Sequence, residues 1–332
     1  MFKQLSFVTL LAGSIAVASS AVYAKNFKIA VGDAAGSAQH AMGVKFVEEL
    51  QANSDHTAEL FVNGQLGSEQ DTINDAAIGV LDMSLVAINN ITPFSPTVGV
   101  FTLPYVILSL EDAEALTQGD VGKELVENTI RDAGVRIIGW TYTGFRVLTN
   151  SKKPVSTVED LKGLVIRVPK NEIMIDTYKA WGIDPTPMAW SETLTGLQQK
   201  VVDGQDNPYL TIHSMKFYEV QDYITNIRYI FSIEPLVISE SVFQDLSEED
   251  QAIILAAGQA ATLHSAQHLR DSEAAIKEDL IAKGMEIQDP ADGEAEFIKL
   301  ATEAVWPKYF DSIGGVDKLN AVLESLGRDP VQ

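Results

Sequence analysis

The 332-residue sequence contains no cysteine. It therefore has no disulfide framework, no thiol nucleophile and no thiolate metal ligand, and core packing alone must stabilise it. Positive charge is also scarce, with 24 Lys and Arg against 46 Asp and Glu and a formal net charge of −22. Such a balance argues against nucleic acid or an anionic membrane as partner, because the summed field would repel either. No segment after the N-terminus approaches the ~20 consecutive apolar residues that crossing a bilayer takes. Neither a Gly-x-Ser-x-Gly elbow nor a glycine-rich phosphate loop behind a strand occurs.

What is present begins with an export signal over residues 1–24. Lys3 supplies a positive start, Phe7 to Val17 an apolar core, and Ala21-Val22-Tyr23-Ala24 a small-residue cleavage site ahead of Lys25. The mature chain, Lys25 to Gln332, is expected in the periplasm. Its length exceeds what one hydrophobic core usually serves, and a hydrophobic content of 46% is ample for two domains.

From Phe27 onward strand-like and helix-like patterns alternate, the signature of α/β layering. Strands are expected over 27–31, 58–64, 81–86 and 135–140, and helices over 40–50, over 69–78 and after the capping box at Ser109. A second α/β unit begins after Tyr142 with the strand FRVLTN. It continues with a strand over 164–168, a helix over 171–181, a helix capped by Ser191 and closed by Asp203-Gly204, and strands over 224–230 and 235–239. Ser247 then opens a helical pattern that runs to Lys283. At 1.5 Å per residue it extends about 50 Å, enough to lie across two domains.

One strand carries a conflict. In LKGLVIRVPK, residues Leu164, Val165, Ile166 and Val168 form the β-branched run of a strand buried in a parallel sheet, yet Arg167 interrupts it. An unpaired buried guanidinium costs roughly several kcal/mol, so Arg167 requires either a carboxylate of the protein or an anion from outside. Pro169 ends the strand two residues later, which sets Arg167 at the mouth of the sheet, where open α/β sheets bind ligands. In VVDGQDNPY, Gln205, Asp206 and Asn207 form either an ordinary turn or a polar ligand segment, and Trp190 in PTPMAWSE is either a packing aromatic or a platform for a ligand. His264 and His268 share a helix face at i, i+4, but with neither an intervening Glu nor a third ligand nearby they do not make a zinc site.

These stretches, with GQLGSEQD and FTLPYV before them and KFYEVQDYIT after, closely resemble the solute-binding proteins of TRAP transporters, the DctP-type family. The combination of LKG-x-x-IRVP, PTPMAW-x-E and VDGQ-x-NP is specific, and the likeness covers nearly all of the mature chain. The resemblance implies a two-domain periplasmic solute-binding fold with a hinge and a long helix spanning both domains. Domain I would comprise 25–143 plus about 233–272, and domain II 144–232 plus about 273–332 with a C-terminal helical segment.

The resemblance gives Arg167 the salt bridge to a substrate carboxylate and carries further ligand roles to Arg146, Trp190 and Asn207. On the N-terminal side it points to Gly32-Asp33, Gln39-His40 and Ala87 to Asn89. Where sialic-acid binders carry a Glu this chain has Ala87, which leaves Asn89 or Gln65 to supply hydrogen bonds. The implied protein is a monomer without catalysis, cofactor or metal. It captures a small organic acid, best a monocarboxylic sugar acid, and presents it to the membrane permease. A sulfonate, a dicarboxylate or an envelope hydrolase are the alternatives.

Overall fold

The computed structural model describes residues 24–331, so nearly all of the expected export signal lies outside the described residues. Strands β1 (Asn26–Val31), β2 (Thr57–Phe61), β3 (Met83–Leu85) and β4 (Val135–Phe145) enter one sheet. Strands β5 (Val147–Asn150), β6 (Ile166–Val168), β7 (Thr186–Pro187), β8 (Gly204–Asn207) and β9 (Tyr223–Thr225) build a second. The chain returns to the first sheet with β10 (Phe231–Ser239) and to the second with β11 (Glu286–Gln288). The first sheet runs β2-β1-β3-β10-β4 and the second β11-β9-β5-β8-β6-β7. Arg146 is the single residue between β4 and β5, so it stands where the chain passes from one half to the other.

In the first sheet β1 pairs parallel with β2 and β3, while β10 lies antiparallel between β3 and β4. Every residue of β10 is buried, Glu234 among them. Its register against β4 shifts at Ser232/Ile233 and again at Leu236/Val237, on either side of Glu234 and Pro235. Pro235 cannot donate to the ladder, and such irregularities bend a strand and re-aim its side chains. Here they turn a carboxyl toward the cleft.

The helix Glu248–Ala282 is 35 residues long and is capped by the Ser247 hydroxyl, which accepts the Asp250 N–H at 3.1 Å. It lies so close on β4 that a Cβ added at Gly258 would sit 1.9 Å from the Ile138 carbonyl oxygen. Beyond that crossing, Trp140 and Tyr142 donate their backbone N–H groups to Thr262 Oγ1 and Ser265 Oγ, each at 2.9 Å. At the far end Leu280 packs with Val147, Ile212 and Ile224 of the second half. The helix therefore braces both halves. Among the described residues no helix is long and apolar enough to cross a membrane.

Several local expectations change. The helix Trp190–Gln198 starts one residue before Ser191, because Glu192 Oε2 accepts the Ala189 N–H at 3.2 Å and closes the first turn. It ends at Gln198, and Gly204 opens β8 instead of closing the helix. The expected strand over 224–230 is only β9, and the residues after it cross back toward the first sheet. After β11, the helix Ala295–Tyr309 buries Phe297 and Ala301 with Trp181 and Tyr229 of the second half. The last helix, Val316–Ser325, buries Leu319, Val322 and Leu323 with Val98, Val100 and Phe101 of the first.

Candidate ligand-binding site

Arg167 occupies the middle of β6, opposite Gln205 of β8 and Thr186 of β7. Its neighbours Ile166 and Val168 fill the core of the second half, so the strand is fixed by its apolar residues and the arginine is carried in with them. The side chain is 2% exposed. Nε and Nη2 both donate to the Met188 carbonyl oxygen, at 3.1 and 2.8 Å, and the guanidinium lies 5.6 Å from the centre of the Trp190 ring. Among the described residues Arg167 makes no ion pair, and Nη1 has no protein acceptor. Burial, and then the Arg146 charge, push its pKa down to about 10, with Asp206 and Glu69 partly offsetting them.

Arg146 is equally buried but compensated. Nε donates to Asp206 Oδ2 at 2.8 Å, Nη2 donates to the Asp206 carbonyl oxygen, and the Tyr229 hydroxyl donates to the same Oδ2 at 2.5 Å. Burial acts to lower the Arg146 pKa, but the Asp206 carboxylate, together with Tyr229 and Tyr178 beside it, more than offsets that and the pKa rises. Of the two buried cations, Asp206 neutralises one and leaves the other.

The opposing wall comes from the first half, and it is acidic. Glu69 stands in the first turn of a helix capped by Ser68, and its carboxyl folds back over Gly32, where a Cβ would meet Oε1 at 2.7 Å. Oε1 accepts from the Ala87 N–H at 3.2 Å and from Gln39 Nε2 at 3.4 Å, and Oε2 accepts from Asn90 Nδ2. Burial, with the neighbouring Glu234, pushes Glu69 up to about 7. Glu234 is raised by burial, and Asp33 is raised well above its ordinary value by burial and by both glutamates. Asp33 Oδ2, Glu234 Oε2 and Asn89 Nδ2 are buried without a hydrogen-bond partner.

The walls enclose about 290 Å³ of space, counting the part that opens to solvent. Seven of the expected site residues line it: Arg167, Arg146, Asn207 and Trp190 from the second half and Asp33, Gln39 and Asn89 from the first. Two do not. Gln65 is exposed on the loop after β2, and His40 is half-buried in the first turn of a helix, with its backbone N–H spent on the Ser37 cap. Glu69, Glu234 and Asn90 line the cavity although the sequence did not single them out. For Glu234 a signal existed: an acid inside the apolar strand FSIEPLVIS poses the same question as Arg167.

The halves touch across the cleft. Asn171 Nδ2 donates to the Asn89 carbonyl oxygen at 2.9 Å and Gln70 Nε2 to the Lys170 carbonyl oxygen at 3.3 Å. His264 and His268 stack 6.2 Å apart on the long helix, far in sequence from these residues. Among the described residues no three potential ligands gather to hold a metal.

A cleft between two α/β halves, walled by an uncompensated cation on one side and carboxyls on the other, is a site for holding a small charged molecule. Residues 30–312 match the family described as bacterial extracellular solute-binding protein, family 7, and the chain belongs to that family. It is 36% identical over 315 residues to a solute-binding protein of Roseobacter denitrificans, covering 94% of this chain and 95% of that protein. A TRAP periplasmic solute-binding protein from the same organism, solved with bound L-galactonate, is 34% identical with a TM-score of 0.81, over 86% of this chain and 94% of that one. One from a Polaromonas species, bound to D-erythronate, is 31% identical with a TM-score of 0.84, over 90% and 98%. The family is one of periplasmic solute-binding proteins of TRAP transporters, and its two-domain fold with a helix spanning both domains is the fold described above.

Proposed function

We propose that this chain is an exported, monomeric capture protein that takes a monocarboxylic sugar acid through the Arg167 guanidinium and delivers it to TRAP permease subunits, without catalysis or cofactor. The observation that carries the reading is the unbalanced charge of Arg167, buried beside an arginine that already has its own carboxylate. A planar guanidinium matches a carboxylate in two parallel hydrogen bonds, and the open Nη1 is the free prong of that fork. The relatives with bound L-galactonate and D-erythronate support a hydroxylated acid over a sulfonate. Two α/β halves joined at Arg146 and braced by one helix suit a hinge that closes over the ligand and excludes water.

The test is calorimetric titration of the mature chain with a panel of sugar acids, beside turnover assays on the same panel and mass spectrometry of ligand released from protein purified without refolding. Replacing Arg167 by Lys keeps the charge and loses the fork, so affinity should fall about ten- to a hundredfold. Undiminished affinity in Arg167→Lys, or turnover of the bound acid, overturns the reading.

A further inference from the structure

The wall facing Arg167 holds three carboxyls, of Asp33, Glu69 and Glu234, each less than a tenth exposed. Only Glu69 has both oxygens engaged, by Ala87, Gln39 and Asn90. Asp33 Oδ2 and Glu234 Oε2 have no donor, and between the same walls Asn89 Nδ2 has no acceptor. A buried polar atom left unpaired costs more than a hydrogen bond returns, so a cleft carrying three of them is shaped for something that pairs them.

The chemistry of that partner follows from the mixture. An ammonium or amidinium group only donates, and would leave Asn89 Nδ2 unpaired. A carboxylate only accepts, and would bring a second negative charge against three carboxyls in a site with little water to screen it. A hydroxyl does both. Adjacent hydroxyls on one carbon chain can donate to the two open carboxyl oxygens and accept from Asn89.

Resting on the capture of an acid by Arg167, we infer that Asp33, Glu234 and Asn89 form a second subsite that selects ligands with a neutral, polyhydroxylated tail and rejects those with a second carboxylate. The subsite reads the end of the molecule that Arg167 does not touch. It excludes aldarates and other dicarboxylates, which the Arg167 charge alone would accept.

The experiment is titration of the mature chain, at pH 8, with matched pairs that differ only at the far carbon: each hexonate against the hexarate made by oxidising its terminal alcohol, and against its terminal-amino analogue. The best hexonate should bind at least a hundredfold more tightly than its hexarate and at least tenfold more tightly than the amino analogue. In Glu234→Gln and, independently, Asp33→Asn, the gap between hexonate and hexarate should narrow at least tenfold. A hexarate within tenfold of its hexonate in the parent overturns the subsite while leaving capture by Arg167 intact. So does an unchanged gap in a folded variant. If no acid of the panel binds, the capture reading itself fails and the subsite falls with it.

Discussion

Arg146 Nε lies 2.8 Å from Asp206 Oδ2, with both side chains almost completely buried, whereas Arg167 in the same cavity has only the Met188 carbonyl oxygen. Two arginines of similar burial therefore differ in compensation. One has its carboxylate within the protein, at the junction of the halves, and the other has none.

Removing the compensated one should damage the fold. In Arg146→Met, Asp206 keeps the Tyr229 hydroxyl but loses its cation in a dry site. Breaking one side of a buried pair costs about 3 to 5 kcal/mol. Urea denaturation should show that loss, and the double variant Arg146→Met with Asp206→Leu should regain much of it. An Arg146→Met protein as stable as its parent contradicts the assignment.

Removing the uncompensated one should do the reverse. Arg167 is desolvated and repelled by Arg146, so the ligand-free fold carries it at a cost. Arg167→Met should abolish acid binding while raising stability by about 1 to 2 kcal/mol, the usual direction when a strained binding group becomes an apolar one. Thermal melting without ligand checks it. A fall in melting temperature would mean that the two bonds to Met188 outweigh the buried charge.

The carboxyl wall sets a pH dependence. Burial and then the Glu234 charge make Glu69 hold its proton in the folded protein up to about 7, with the Ala87 and Gln39 donors and the Arg167 charge offsetting part of the rise, whereas in the unfolded chain it ionises above about 4.3. Between those values the folded state binds more protons than the unfolded one, so stability is complete below the window and falls as pH rises through it, by on the order of 3 kcal/mol. Asp132 and Asp160, whose pKa values are lowered, act below about pH 4. His268, lowered by burial and His264, acts in the opposite sense nearer 6.5. The readout is therefore the difference between parent and Glu69→Gln from pH 5 to 8, ligand-free, and identical slopes in the two proteins contradict it.

Asn171 links two functions in one side chain. Its Oδ1 accepts the Met174 N–H at 3.1 Å and caps a helix, while its Nδ2 crosses the cleft to Asn89. Asn171→Ser keeps a neutral capping oxygen and removes the crossing donor. Melting temperature should change little, and stopped-flow release of a bound acid should quicken about tenfold, the loss of one hydrogen bond that forms only when the halves meet. Unchanged release would show that this contact does not hold the cleft shut.

The sequence by itself settled whatever depended on local pattern. Alternating strands and helices fixed the α/β class, the Ser247 cap and the unbroken run behind it fixed the long helix to within a residue at each end, and the apolar frame around Arg167 marked it as a charge in need of a partner. Only the tertiary structure decided which arginine was already served, because Asp206 reaches Arg146 through antiparallel pairing of β5 with β8, sixty positions apart in the chain. The acidic wall was hidden for the same reason. Glu69 looks like an ordinary first-turn acid of a helix and Glu234 like a lone polar residue in a strand, and neither sequence position reveals that Gly32 makes room for one and a strand irregularity turns the other to meet it. Residue spacing sets periodicity and caps, but the charge balance of a cleft is a sum over elements that meet only when the chain is folded.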